Sequence, residues 1–314
     1  MSKHLVILMG INGAGKSTLV EQLISQGYHR INRDTTGGNL EGQVIIAKES
    51  VERQNVEKIV LDNTYPTIQS RKSMIEFAKS IQAKISCHWL KTSFEDAQLN
   101  ACLRMVKRRG KLLSPEEMKK TKDPNLFPPV ALFNYRKIFE PPTTKEGFDE
   151  IIEIPFNRVW APEYKNKALI LDYDGTLRES LGQYEYPIKK SEVKVNRIAT
   201  NIVHEFKSKG YFILGASNQS GIAKGILSDV DASECFTETN RLLNIDVDEV
   251  CFCPHRIPPV TCYCRKPHVG IGAFFIEKYK LNPNLCIMVG DMTTDETFAE
   301  RCGFKFIHAS HFFK

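Results

Sequence analysis

The sequence predicts an α/β protein of two domains, each built on a parallel sheet flanked by helices. Three observations carry that prediction. The 314 residues exceed what one small core organises and suit two domains of about 150 residues each. Short apolar runs alternate with amphipathic stretches through both halves, as βαβ units require. Each half also opens on a buried-type strand that runs directly into a polar turn, His4–Met9 before Gly10 and Ala168–Leu171 before Asp172. With 42% hydrophobic and 25% charged residues and only 19 Gly and 15 Pro, disordered and collagenous classes are excluded. No run nears 18 apolar residues, so neither a membrane span nor a secretory signal is expected, and the expected location is intracellular, cytoplasmic or nuclear.

In chain order, His4–Met9 reads as a strand, Lys16–Ser25 as a helix and Lys58–Leu61 as a strand. Ser70–Ile81 then reads as a helix, Ile85–Leu90 as a strand, and Phe94 to about Arg109 as a helix. Asp123–Pro129, with three prolines, breaks regular structure before a last strand at Ile151–Pro155. The polar stretch Ala161–Lys167 marks the boundary, giving domains 1–160 and 165–314. The second half follows with a strand Ala168–Leu171, a helix from about Ser191 to Lys209, a strand Tyr211–Gly215, a helix Ala232–Leu243 and a strand Leu285–Val289.

The net charge of +6 is unevenly placed. Residues 1–160 hold 24 Lys+Arg against 18 Asp+Glu, whereas 161–314 hold 19 of each. Eight of the basic residues fall in 104–122, against Glu116 and Glu117. Such a stretch attracts polyanions or serves as a solvated helix face. Of nine cysteines, Cys87, Cys102, Cys235, Cys286 and Cys302 are isolated and read as core thiols. The other four crowd into 251–264, where a reducing compartment favours metal over disulfide.

Gly10-Ile-Asn-Gly-Ala-Gly-Lys-Ser17 fits G-x-x-x-x-G-K-[ST] between a strand and a helix. Its backbone N–H groups and the helix N-terminus suit phosphate oxygens, Lys16 can reach the β/γ-phosphates, and Ser17 can ligate Mg²⁺. The expected cradle comprises Gly10, Asn12, Gly13, Ala14, Gly15, Lys16, Ser17 and Thr18, with ATP as the nucleotide. Asp34 is a candidate general base, with a helix N-cap or turn as its other reading. Asp62, at the end of an apolar strand, reads as a Walker-B-like carboxylate or as a turn former.

These strings, with Asn32–Thr35, Leu61–Thr64, Ser70-Arg71, Asn134–Lys137, Phe139–Thr143, Glu146–Phe148 and Ile151–Phe156, resemble the kinase domain of polynucleotide kinase-phosphatases over nearly the whole first half. The resemblance implies a 5′-hydroxyl kinase with Asp34 as base. It also implies a lid arginine, Arg104 by position with Arg108 next, and a phosphate-backbone surface along 104–122.

In Leu169–Leu177, Asp172 and Asp174 leave an apolar strand on one side, so one can attack phosphorus while the other protonates the leaving alkoxide. Ser217-Asn-Gln219, Arg265-Lys266-Pro267, and Gly290-Asp291 with Asp295 follow, each after or near a strand. Together these resemble the four motifs of the haloacid dehalogenase-like (HAD) phosphatases, across essentially all of 165–314. The resemblance implies Asp172 as nucleophile, Asp174 as general acid/base, Ser217, Asn218 and Lys266 as phosphate binders, and Asp172, Asp174, Asp291 and Asp295 around Mg²⁺.

Cys253, His255, Cys262 and Cys264 form two close pairs suited to a closed tetrahedral Zn²⁺ site beside Lys266. Cys251 is read as outside the set, with an exchange for Cys253 left open. This loop departs from the polynucleotide kinase-phosphatase pattern and resembles histidinol-phosphate and heptose-bisphosphate phosphatases. Kinase-first order resembles the phage-type enzyme, while several first-half strings are closer to animal-type kinase domains.

The expected function is therefore a bifunctional end-healing enzyme acting on nucleic acid with 5′-hydroxyl and 3′-phosphate ends, upstream of a ligase. The alternative is a metabolic kinase-phosphatase for a small sugar or alcohol phosphate. A non-catalytic ATP-dependent module fits least, because every expected catalytic residue type is present.

Overall fold

The computed structural model describes residues 3–256 and 261–314. They form two compact units, one ending its first segment at Ala101 and resuming over Lys122–Arg158, the other comprising Cys102–Thr121 with Val159–Lys314.

The first unit is a five-stranded parallel sheet, β1 (His4–Met9), β2 (His29–Ile31), β3 (Lys58–Asp62), β4 (Lys84–Leu90) and β5 (Glu150–Ile154), in the order β2-β3-β1-β4-β5. Its helices are α1 (Lys16–Ser25), α2 (Arg33–Thr36), α3 (Gln43–Gln54), α4 (Ile68–Ser80), the start of α5 (Phe94–Arg109) and α7 (Pro129–Ile138); α6 (Pro115–Lys120) lies in the second unit. The central β1 is buried on both faces. Leu5, Ile7 and Met9 pack with Ile31, Ile59 and Ile85, while Val6 and Leu8 pack with Val20, Leu23 and Val60. A buried ion pair ties α4 to the turn that precedes β5: Arg71 donates from Nε to Glu146 at 2.6 Å and from Nη2 at 2.9 Å, and its Nη1 reaches the carbonyls of Tyr65 and Glu140.

The second unit centres on a parallel sheet of β6 (Ala168–Leu171), β9 (Phe212–Asn218), β10 (Glu249–Cys253), β11 (Ile287–Gly290) and β12 (Lys305–His308), ordered β10-β9-β6-β11-β12. A small antiparallel pair, β7 (Arg178–Ser180) and β8 (Val193–Val195), stands apart from it. Its own helices are α8 (Ala199–Ser208), α9 (Ser220–Ala223), α10 (Asp229–Leu243), α11 (Gly270–Tyr279), α12 (Thr293–Cys302) and α13 (Ala309–Phe312).

Four sequence expectations are corrected. The helix expected from Ser191 starts only at Ala199, because Val193 and Val195 alternate in a strand that pairs with β7. The helix expected from Ala232 starts at Asp229, where Ser228 and Asp231 form a reciprocal capping box. The strand expected to end at Gly215 runs on to Asn218 and carries Ser217 and Asn218 with it. Finally, Cys102–Thr121, expected in the first domain, belongs to the second unit, where Cys102, Met105, Val106 and Met118 are buried. No described helix is long and apolar enough to cross a membrane.

Candidate active sites

Because all strands of the first sheet are parallel, their carboxyl ends emerge at one edge. Leu8 of β1 lies opposite Asp62 of β3, and Ile31 of β2 lies opposite Leu61. The P-loop, Asn32–Asp34 and Asp62 therefore leave the sheet together. Gly13 has φ +84° and approaches the carbonyl of Ala97 so closely that a Cβ would stand 2.5 Å from its oxygen. Gly15, at φ +95°, caps α1. The Lys16 ammonium folds onto its own loop, donating to the carbonyls of Gly10 at 2.7 Å and Ile11 at 3.1 Å.

The loop is braced from outside by residues that local sequence patterns do not reveal. Asn100 donates to the Gly13 carbonyl at 2.8 Å, and Thr92 to that of Ala14 at 2.8 Å. Asn100 is itself held by Arg158, which donates to its Oδ1 at 2.7 Å and to Asp96 at 3.0 Å.

Asp34 lies in the first turn of α2, its side chain exposed. It is not the helix cap: Asn32 is, accepting the Asp34 N–H at 2.7 Å. Asn32 is fixed in turn by donating to the Asp62 backbone carbonyl and, at 3.1 Å, to its carboxylate, which also accepts from Arg30 at 2.6 and 2.9 Å. Asp62 thus anchors the segment that presents Asp34. Arg104, the expected lid arginine, lies in the part of α5 that belongs to the second unit, where its charge acts on Tyr263.

In the second unit the parallel sheet again delivers its chemistry at the carboxyl edge. Asp172 follows β6, Ser217 and Asn218 end β9, and Asp291 follows β11. The Lys266 ammonium, 2% exposed, sits between Asp172 at 2.7 Å and Asp295 at 2.6 Å and donates to the Ala216 carbonyl at 2.6 Å. Burial works against its charge, but the two carboxylates outweigh that cost and raise its pKa. Burial pushes the Asp172 pKa up despite Lys266, and raises that of Asp291 as well. Oxygens of Asp172, Asp291 and Asp295 lie within 4.8 Å of one another. Three crowded carboxylates against one lysine form an electrostatically incomplete set that a hard divalent cation completes. Gly175, at φ +81°, admits Asp291 to a place where a Cβ would stand 2.2 Å from its Oδ2.

Two expected roles change here. The Asp174 carboxylate lies outside the metal-competent group, because Oδ1 accepts from Arg178 at 2.8 Å and Oδ2 from Gln219 at 2.6 Å. Asn218 spends its amide on the Lys266 backbone, accepting its N–H at 3.0 Å and donating to its carbonyl at 3.1 Å. It is a positioning residue for Lys266. Ser217 is buried and accepts from Gln219 at 2.9 Å. Arg178 was not foreseen: it is 1% exposed, donates to Thr239 at 3.3 Å and lies 4.4 Å over the Phe236 ring.

Ligand atoms of Cys253, His255, Cys262 and Cys264 lie within 4.8 Å of one another. A zinc tetrahedron with sulfur at about 2.3 Å and nitrogen at about 2.05 Å has S···S edges of about 3.8 Å and S···N edges of about 3.6 Å. The structure gives 3.7 Å between the Cys253 and Cys262 sulfurs, and 3.5 and 3.2 Å from His255 Nδ1 to Cys253 and Cys264. The donor set fits the ion. Cys251 is outside the group.

Comparison with known proteins finds the same two kinds of domain, with the first match running past Ala101 to residue 112. A family model described as an AAA domain matches residues 5–112, and one described as HAD-hydrolase-like matches residues 263–309. The D-glycero-beta-D-manno-heptose-1,7-bisphosphate 7-phosphatase of Haemophilus influenzae is 33% identical over 138 residues, 41% of this chain and 73% of that protein. The chain belongs to the HAD-like hydrolases. To its HAD-like domain it joins a P-loop kinase domain of the AAA type. The bifunctional polynucleotide phosphatase/kinase of Schizosaccharomyces pombe is 35% identical over 156 residues, 49% of this chain but 34% of that protein. A solved chain of the Pnkp1/Rnl/Hen1 RNA repair complex aligns with 98% of this one and 96% of its own length, at 18% identity and a TM-score of 0.35.

Proposed function

We propose that the chain heals nucleic-acid ends, phosphorylating a 5′-hydroxyl from ATP at the P-loop site and removing a 3′-phosphate at the HAD-like site, so that a ligase can act next inside the cell. One observation carries the reading. A P-loop site with an exposed aspartate and a buried aspartate–lysine site share a chain that is 35% identical, across 49% of its length, to a bifunctional polynucleotide phosphatase/kinase.

At the first site the Gly10–Thr18 cradle and Lys16 hold the ATP phosphates, Ser17 would hold Mg²⁺, and Asp34 accepts the proton of the attacking 5′-hydroxyl. At the second site an Asp172 carboxylate oxygen attacks phosphorus, and the bond to the 3′-oxygen breaks as Asp174 delivers its proton to that oxygen. Water then attacks the aspartyl-phosphate, Asp174 takes its proton, and Asp172 and phosphate separate. Lys266 and Ser217 hold the phosphoryl oxygens. Asp172, Asp291 and Asp295 would hold Mg²⁺, which when bound neutralises phosphoryl charge. Cys253, His255, Cys262 and Cys264 would hold a structural Zn²⁺ bracing the loop that leads to Lys266.

The test is label transfer from γ-labelled ATP to a 5′-hydroxyl oligonucleotide by Asp172→Asn protein, with Lys16→Ala and Asp34→Asn as controls. Transfer that both controls abolish is the expected result; no transfer by protein that binds ATP overturns the reading. The heptose-bisphosphate phosphatase relative supports a second reading, in which the HAD-like site takes a small sugar phosphate. Release of phosphate from such a sugar, with none from a 3′-phosphorylated oligonucleotide, would establish it.

A further inference from the structure

The HAD-like unit owes its positive charge to a segment from the other half of the sequence. Residues 161–314 are balanced, with 19 basic and 19 acidic side chains. The twenty residues of Cys102–Thr121, which the structure places in this unit, carry seven basic side chains against Glu116 and Glu117.

The segment is firmly seated. Cys102, Met105, Val106 and Met118 are at most 4% exposed, and the Leu113 N–H points at the Met105 sulfur 3.1 Å away. A cavity of about 300 Å³ is lined on one side by Leu112, Leu113 and Glu117, and on the other by Phe252, Tyr263 and Cys264. The segment therefore rests on the zinc-competent loop, two residues from Lys266.

Its apolar side is buried in that seating, and its basic side chains are exposed. Lys107, Arg108 and Arg109 close α5, and Lys119 and Lys120 close α6; all five are exposed. Cations suit a helix C-terminus, but that effect is worth only about 0.3–1 kcal/mol and explains neither five of them nor their concentration on one unit. Lys111 is differently employed, 2.6 Å from Glu117.

We infer that this surface binds the phosphate backbone of a single nucleic-acid strand whose 3′-phosphate enters the HAD-like site. The inference rests on the end-healing reading and deepens it. A sugar bisphosphate confined to the Asp172 site has no backbone with which to engage a row of exposed cations. A strand releases condensed counterions on binding them, which leaves a salt signature.

The experiment compares full-length wild type with a Lys107→Gln/Arg109→Gln/Lys119→Gln/Lys120→Gln variant on a 3′-phosphorylated oligonucleotide and on p-nitrophenyl phosphate, across ionic strengths. The expected result is a fall of about tenfold or more in the ratio of kcat/KM for oligonucleotide to that for p-nitrophenyl phosphate. The slope of log kcat/KM against log salt should flatten by about 0.7 for each phosphate contact removed. An unchanged ratio in a wild type that hydrolyses the oligonucleotide overturns this inference and leaves end healing intact, as does an equal loss on both substrates. A wild type that ignores the oligonucleotide but hydrolyses a sugar phosphate overturns both.

Discussion

At the end of β6, Asp172, Lys266 and Asp295 are packed to between 1% and 6% exposure, two carboxylates sharing one ammonium, whereas at the end of β2 Asp34 stands exposed on a four-residue helix. Both sites use the same device, an aspartate at the carboxyl edge of a parallel sheet. They differ in what the aspartate means to the fold. The buried site is part of the core's electrostatic balance, so its residues serve stability and chemistry together. The exposed aspartate is aimed by neighbours, and its own carboxylate leaves the fold indifferent.

That contrast is sharpened first by the largest effect. Asp172→Asn should lower phosphatase kcat by at least about 1,000-fold, since it removes the nucleophile, while kinase activity persists. Phosphate release and label transfer on one preparation check it. Asp34→Asn should lower kinase kcat by about 10²–10⁴-fold, the range for general-base loss, with urea unfolding unchanged to about 0.5 kcal/mol. A clear loss of stability would break the comparison.

A third substitution sets a second aspartate of the HAD-like site beside Asp34. Asp174→Ala strands the wholly buried Arg178 guanidinium with Thr239 as its remaining hydrogen-bond partner, and should cost about 3 kcal/mol in urea unfolding. Adding Arg178→Met should return part of that loss, a non-additivity expected of a coupled pair. The smallest effect lies at the P-loop brace: Asn100→Ala removes one hydrogen bond to Gly13, worth about 1 kcal/mol, and should raise the KM for ATP about fivefold with little change in kcat.

What was legible in the sequence is what is local. The P-loop, the Asp172–Asp174 pair and the cysteine–histidine loop each lie within a dozen or so residues, so spacing alone states their chemistry. The positioning groups join distant positions, as Arg158 does with Asn100 and Gln219 with Asp174, and no periodicity encodes them. The strand at Val193–Val195 escaped because three residues at an amphipathic helix's edge satisfy either period. The allegiance of Cys102–Thr121 escaped because an apolar helix face shows that it is covered, without showing by what.

The hydrogen bonds linking Arg30, Asn32 and Asp62 have a consequence for descent. The helix bearing Asp34 is capped by one member of this trio, and that member is held by another on a neighbouring strand. A change at position 62 takes the carboxylate from Arg30 and from the Asn32 amide at once, leaving that amide the backbone carbonyl. Among diverged homologues that keep a base at position 34, positions 30, 32 and 62 should therefore vary together or stay fixed together, a covariation set by aim although none of the three touches the reacting atoms.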